Sequence, residues 1–188
     1  MKLRTNKPIL ICIDIQLAFL EEDRWGGNRN NKNAEEICAQ IIAKWRDIGE
    51  EIIHFRHSSS NPKSNLHKDA KGFSFNPLCA PNEGETIVTK SVNSCFIGTN
   101  LKKMLDEKNC ETVVIIGLTT DHCVSTTTRM AGNYGYNTFL ISDATATFDK
   151  VGINGETYDS ELMHYSALAS LKDEFATIIS SEELFELL

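Results

Sequence analysis

Two short apolar runs limit the architecture of this chain more than any other feature. Residues 8–14 read PILICID and residues 112–117 read TVVIIG. Neither run alternates apolar with polar positions, so each strand needs cover on both faces, as in a parallel sheet with helices on either side. Further runs at 51–57 (EIIHFRH), 85–89 (ETIVT), 137–142 (NTFLIS) and 176–179 read as companion strands. The intervening segments are helical in spacing. Ala34, Ile37, Ile41, Ile42, Trp45 and Ile48 recur along 33–48, and Gly49 follows as a stop. Residues 98–108, 123–134 and 157–171 are expected to form helices as well. Strands alternating with helices imply right-handed crossovers and a three-layer α/β/α sandwich. Its sheet is expected to be mainly parallel.

Length and charge narrow the class. The chain has 188 residues, which fits one domain spanning 1–188. Net charge is −7, and the longest basic cluster is Lys102-Lys103, so neither nucleic acid nor an anionic membrane is an expected partner. No run reaches the ~18 apolar residues of a spanning helix. Residues 1–8 are polar, and the apolar stretch after them is too short for a secretory segment, so a cytoplasmic location is expected. The six cysteines (Cys12, Cys38, Cys79, Cys95, Cys110, Cys123) contain no Cys-x-x-Cys pair and are read as free thiols.

In open parallel sheets, ligands bind beyond the carboxyl ends of the strands. Three reactive side chains stand at such ends: Asp14, Lys90 and Cys123. Cys123 follows a strand and a tight turn at a helix start, with Asp121 as candidate N-cap. There the helix dipole favours thiolate, and unpartnered N–H groups can face an oxyanion. Asp14 ends an apolar strand, where it serves as a general base or as one half of a structural ion pair. Lys90 is either solvated or the cation that holds Asp14. Together they supply a base, a cation and a nucleophile.

These residues sit in motifs that resemble the isochorismatase-like cysteine hydrolases, whose members include nicotinamidases, carbamoyl-amide hydrolases and streptothricin hydrolase. Asp14, Gln16 and Phe19 match an Asp-x-Gln motif with a downstream Phe. Lys90, Ser94 and Phe96 match Lys-x-x-x-Ser-x-Phe, and Gly117, Thr120, Cys123 and Val124 match Gly-x-x-Thr-x-x-Cys-Val. The resemblance implies a six-stranded parallel sheet and a catalytic triad of Asp14, Lys90 and Cys123. It also implies a cis peptide at Leu118–Thr119, an oxyanion hole from the N–H groups of Thr119 and Cys123, and a homodimer or homotetramer.

The presence of Cys123 directs the expectation toward hydrolysis of a small amide, ureide or carbamoyl compound without a cofactor. Three alternatives stay open: a vinyl-ether hydrolase, a non-catalytic ligand-binding or scaffolding member of the fold, and a redox-sensor thiol without an obvious resolving cysteine. The Asp-x-His pair of nicotinamidase metal sites is missing. His54 and His57 are three residues apart on one strand and face opposite ways, so no metal is expected. Gln16, Phe19, Trp25, His57, Phe75 and His122 complete the candidate pocket, Phe75 lying in the long 58–85 connection.

Overall fold

The apolar runs become strands lying side by side. The computed structural model describes Leu3 and residues 7–188. The polar lead-in read at 1–8 lies largely outside the described residues. The strands are β1 (Ile9–Ile13), β2 (Ile52–His57), β3 (Thr86–Lys90), β4 (Thr112–Leu118), β5 (Asn137–Ala146), β6 (Lys150–Val151), β7 (Thr157–Tyr158) and β8 (Thr177–Ile179). The helices are α1 (Ala34–Ile48), α2 (Leu101–Glu107), α3 (Ser125–Asn133), α4 (Ser160–Leu171) and α5 (Ser181–Leu187). The main sheet runs β3-β2-β1-β4-β5-β8, and every neighbouring pair is parallel. Strand order reverses at β1, so the crevice between β1 and β4 at their carboxyl ends is the switch point.

Alternation along β1 divides the core. Ile9, Ile11 and Ile13 pack with Leu101, Leu105, Ala131 and Leu168, on the side of α2, α3 and α4. Leu10 and Cys12 pack with Ile41, Ile42, Trp45 and Leu184, on the side of α1 and α5. Each fully buried isoleucine or leucine contributes ~1.5–3 kcal/mol. Covering both faces is what allows a strand with no polar side to be stable.

One glycine sets how closely the two central strands approach at the switch point. Gly117 pairs with Ile13 and has φ +119°. A Cβ there would fall 2.0 Å from the Ile13 carbonyl oxygen. One residue further on, the Leu118–Thr119 peptide is cis.

The structure corrects several expectations. The segment read as a helix over 123–134 starts as a π-helical turn, Thr120–Val124, and passes into α3. Asp121 caps neither piece, since neither has a side-chain cap bond; its carboxylate accepts from Thr147 Oγ1 at 2.5 Å. The helix expected over 157–171 begins only at Ser160, capped by Asp159, because Thr157–Tyr158 pairs with Lys150–Val151 in a small antiparallel hairpin. The C-terminal helix α5 was not anticipated; its signal is the capping box of Ser180 and Glu183.

Two glycine substitutions separate backbone strain from close approach. Gly49 also has positive φ, but a Cβ there meets open space. Gly49→Ala should therefore cost ~1–2 kcal/mol. Gly117→Ala should cost more than ~4 kcal/mol or prevent folding. Urea unfolding of both variants checks the pair, and equal losses would contradict the assigned contact.

Candidate active site

Asp14 is the first residue past β1, and its backbone turns sharply there. Its φ of +51° is left-handed. Aspartate tolerates that region better than most side chains, at a cost of ~1–2 kcal/mol. Its N–H donates to Phe55 O at 3.0 Å, and its carbonyl accepts from Gln16 N–H at 2.8 Å. The turn is thus tied to β2 and aims the carboxylate across the ends of the strands. Lys90, the last residue of β3, reaches back to it. Lys90 Nζ donates to Asp14 Oδ2 at 2.5 Å and to Val92 O at 3.2 Å. Both side chains of the ion pair are fully buried. Burial disfavours the Lys90 ammonium, but the adjacent Asp14 carboxylate outweighs it, and the lysine is held above its ordinary value. The second carboxylate oxygen, Asp14 Oδ1, is buried without a hydrogen-bond partner.

Cys123 completes the group from the π-helical turn after β4. The donor atoms of Asp14, His57 and Cys123 all lie within 4.8 Å of one another. The Cys123 thiol also makes a long contact, 3.9 Å, with Asn93 Oδ1. Burial first, and then the charge of Asp14, push the Cys123 thiol up to about 12, against the pull of Lys90. This reverses the expectation of a thiolate favoured by the helix start: at neutral pH the sulfur keeps its proton. Cys12, Cys38, Cys79 and Cys95 are buried, and Cys110 is half-buried; burial raises all five. What distinguishes Cys123 is its place in a cavity beside an unpartnered carboxylate oxygen.

His57, the last residue of β2, faces the same space. Gln16 fixes its backbone from both sides: Gln16 Oε1 accepts from His57 N–H at 2.7 Å, and Gln16 Nε2 donates to His57 O at 3.1 Å and to Phe73 O at 2.9 Å. His57 Nδ1 is buried with no partner. Burial first, and then Lys90, lower its pKa, which keeps the imidazole neutral at pH 7.

The cavity enclosed by these groups is about 150 Å³. Asp14, His57, Asn93, Thr119 and Cys123 provide its polar surface, and Phe19, Trp25 and Leu66 provide apolar walls. Trp25 packs tilted against Phe19, ring centroids 4.7 Å apart, and donates its indole N–H to Ala18 O at 2.9 Å. A wider hollow of about 450 Å³ between Lys102 and Asn137 lies at the opposite ends of the strands, away from Asp14 and Cys123.

The isochorismatase domain model matches residues 8–183. The chain belongs to the isochorismatase family. It is 48% identical to the uncharacterized isochorismatase family protein YrdC of Bacillus subtilis, over 95% of both chains. A solved isochorismatase-family structure from Chromobacterium violaceum superposes with TM-score 0.94 at 35% identity, covering 100% of this chain and 96% of that one. Maleamate amidohydrolase of Pseudomonas putida is 27% identical over 73% of this chain and 71% of its own. As an isochorismatase-family protein with this fold, the chain is a hydrolase.

The motif residues of the family have distinct jobs in this structure. Ser94 accepts from Phe96 N–H at 3.1 Å and donates to Met130 Sδ at 2.7 Å, while Cys95 N–H donates to Thr127 Oγ1 at 3.1 Å. These bonds fasten the segment after Lys90 onto α3 and bring Asn93 to the thiol. Thr120 Oγ1 bonds His164 Nδ1 at 2.9 Å, anchoring the cysteine turn to α4.

Of the pocket residues named from sequence, Phe19, Trp25 and His57 line the cavity, and His122 does so from an exposed position on its rim. Two do not. Gln16 spends its amide on the backbone of His57 and Phe73. Phe75 packs edge-on against His54 at 6.1 Å and faces the Arg56 guanidinium at 5.7 Å. Asn93 and Leu66 line the cavity and were missed. Asn93 had a usable signal, since it lies three residues beyond Lys90 and one before Ser94.

The thiol's raised pKa gives a kinetic expectation. Iodoacetamide should modify Cys123 first, and its rate should rise ~tenfold per pH unit from about pH 7 to about 9. Peptide mapping across a pH series checks this. A plateau near neutrality would reveal a thiolate and contradict the assigned environment.

Proposed function

We propose that this protein is a cysteine amidohydrolase acting on a small amide, ureide or carbamoyl compound, with Cys123 as nucleophile, Asp14 as general base and acid, and Lys90 as the cation that orients Asp14. The observation that carries this reading is a buried carboxylate with an oxygen within 4.8 Å of the Cys123 sulfur, whose Oδ1 has no hydrogen-bond partner while Oδ2 is occupied by Lys90. Beside a thiol, such an oxygen is placed to accept its proton. The similarity to maleamate amidohydrolase supports an amide rather than an ether as the bond cleaved.

In this reading the resting pair is thiol and carboxylate. As sulfur attacks the substrate carbonyl, its proton passes to Asp14 Oδ1 and an S–C bond forms. The N–H groups of Thr119 and Cys123 donate to the developing oxyanion. Asp14 returns the proton to the leaving nitrogen, the C–N bond breaks, and an amine or ammonia departs. The carboxylate next takes a proton from water, whose oxygen attacks the thioester. Collapse breaks the S–C bond, releases the acid and restores the thiol with the proton from Asp14. No cofactor enters any step.

The cavity supports a choice of substrate size. At about 150 Å³ it falls below the ~300 Å³ where pockets for drug-sized ligands begin. Phe19, Trp25 and Leu66 favour an acyl group with an apolar or flat body. The neutral His57 imidazole offers one hydrogen bond to a polar substituent.

The test is a panel of small amides, ureides and carbamates read by ammonia release. At least one should turn over, and Cys123→Ala should abolish it while circular dichroism stays native. Hydrolysis that survives Cys123→Ala would overturn the nucleophile assignment. Lys90→Met should reduce turnover by ~10²-fold or more. It should also destabilise the fold by ~3–5 kcal/mol, because it strands a buried carboxylate. A near-native rate in that variant would remove Lys90 from the reaction.

A further inference from the structure

We infer that the floor of the cavity is also a binding site for a thiophilic divalent cation, with zinc as the representative ion, and that occupancy blocks the nucleophile. Asp14, His57 and Cys123 form the only group of three or more His, Cys, Asp or Glu side chains with metal-holding spacing among the described residues. Their donor atoms lie within 4.8 Å of one another. Tetrahedral zinc with bonds of ~2.0–2.3 Å needs its ligand atoms about 3.3–3.7 Å apart, so a pair at the 4.8 Å limit must close by roughly 1 Å. A carboxylate, an imidazole and a thiolate are the three ligand types zinc accepts, and three protein ligands leave the fourth position open to water.

A second, independent observation points the same way. Asp14 Oδ1 and His57 Nδ1 are both buried and unpartnered, and Asp14 has no exposed surface. Buried polar atoms without partners are uncommon, and each calls for a ligand that supplies the missing bond. Asp14 presents one oxygen to each of two cations, since Lys90 occupies only Oδ2. Binding requires deprotonation: the Cys123 S–H bond breaks, a zinc–sulfur bond forms, and the proton leaves to solvent. With its sulfur and Asp14 Oδ1 both engaged, the site has neither nucleophile nor base. A metal therefore acts here as an inhibitor, and chelation should leave turnover unchanged or raise it.

The inhibitory consequence rests on the reading of Cys123 and Asp14 as nucleophile and base; the binding itself does not. The purified chain is dialysed with zinc and then against metal-free buffer, and bound metal is counted. One ion per chain is expected. A cobalt-loaded sample should show a thiolate-to-metal charge-transfer band that is absent in Cys123→Ala. His57→Phe should weaken zinc binding by at least the ~10–100-fold that loss of an outer-shell partner costs. Cys110→Ser, whose thiol is far from the cavity, should bind normally. No retained zinc, no charge-transfer band in the wild type, or undiminished binding in Cys123→Ala would each overturn the site. Zinc bound as stated in a protein that hydrolyses no amide would refute the proposed reaction and leave the metal site standing. Cys123-dependent turnover without zinc binding would do the reverse.

Discussion

The buried contact between Lys90 and Asp14 is the constraint around which the carboxyl end of the sheet is arranged. Two opposite charges at 2.5 Å, both without exposed surface, are worth little net stability against well-packed apolar residues, yet either one alone would be a severe liability. The pair can exist only if β1 and β3 end at matching heights on either side of β2. The parallel registers provide this, with Ile13 beside Phe55 and His57 beside Lys90. The left-handed backbone of Asp14 then turns the carboxylate toward β4 and Cys123. The ion pair fixes the geometry and leaves one oxygen unused.

That geometry carries an electrostatic consequence. Burial first, and then the nearby Asp14 carboxylate, keep the proton on the Cys123 sulfur, and Lys90 offsets this only in part. The site is therefore not a pre-ionised thiolate waiting for an electrophile. In the proposed reaction, proton transfer and attack belong to one step, triggered when a carbonyl sits over the sulfur.

Much of this was legible in the sequence because it depends on local pattern. Runs with no polar face require a doubly covered parallel sheet, and the strands formed where the runs predicted, to within one to four residues at their ends. The placement of Asp14, Lys90 and Cys123 at strand ends followed from the same pattern. What escaped depended on contacts between distant segments. Gln16 looked like a pocket residue, but both ends of its amide are taken by the backbone at His57 and Phe73. Leu66 lies in a connection without periodicity and reaches the cavity only because that connection folds back over the turn at Leu17–Leu20. The helical start at Thr120 was obscured by a π-helical turn, and the capping function given to Asp121 was lost to Thr147, a partner 26 residues away. The protonation of Cys123 depends on burial and on the charge of Asp14, neither of which spacing reveals.

The central claim is that Asp14 adds to burial in holding the proton on Cys123 at rest and takes that proton during attack. Asp14→Asn tests this directly, because asparagine also tolerates the left-handed backbone and keeps the side-chain shape. Removing the carboxylate charge while Lys90 remains should lower the thiol pKa. Iodoacetamide should then modify Cys123 faster at about pH 8 than in the wild type, while amide turnover falls by ~10²-fold or more for want of a base. Opposite movement of the two rates is the predicted result. A parallel fall in alkylation and turnover, or turnover that survives the substitution, would contradict the account.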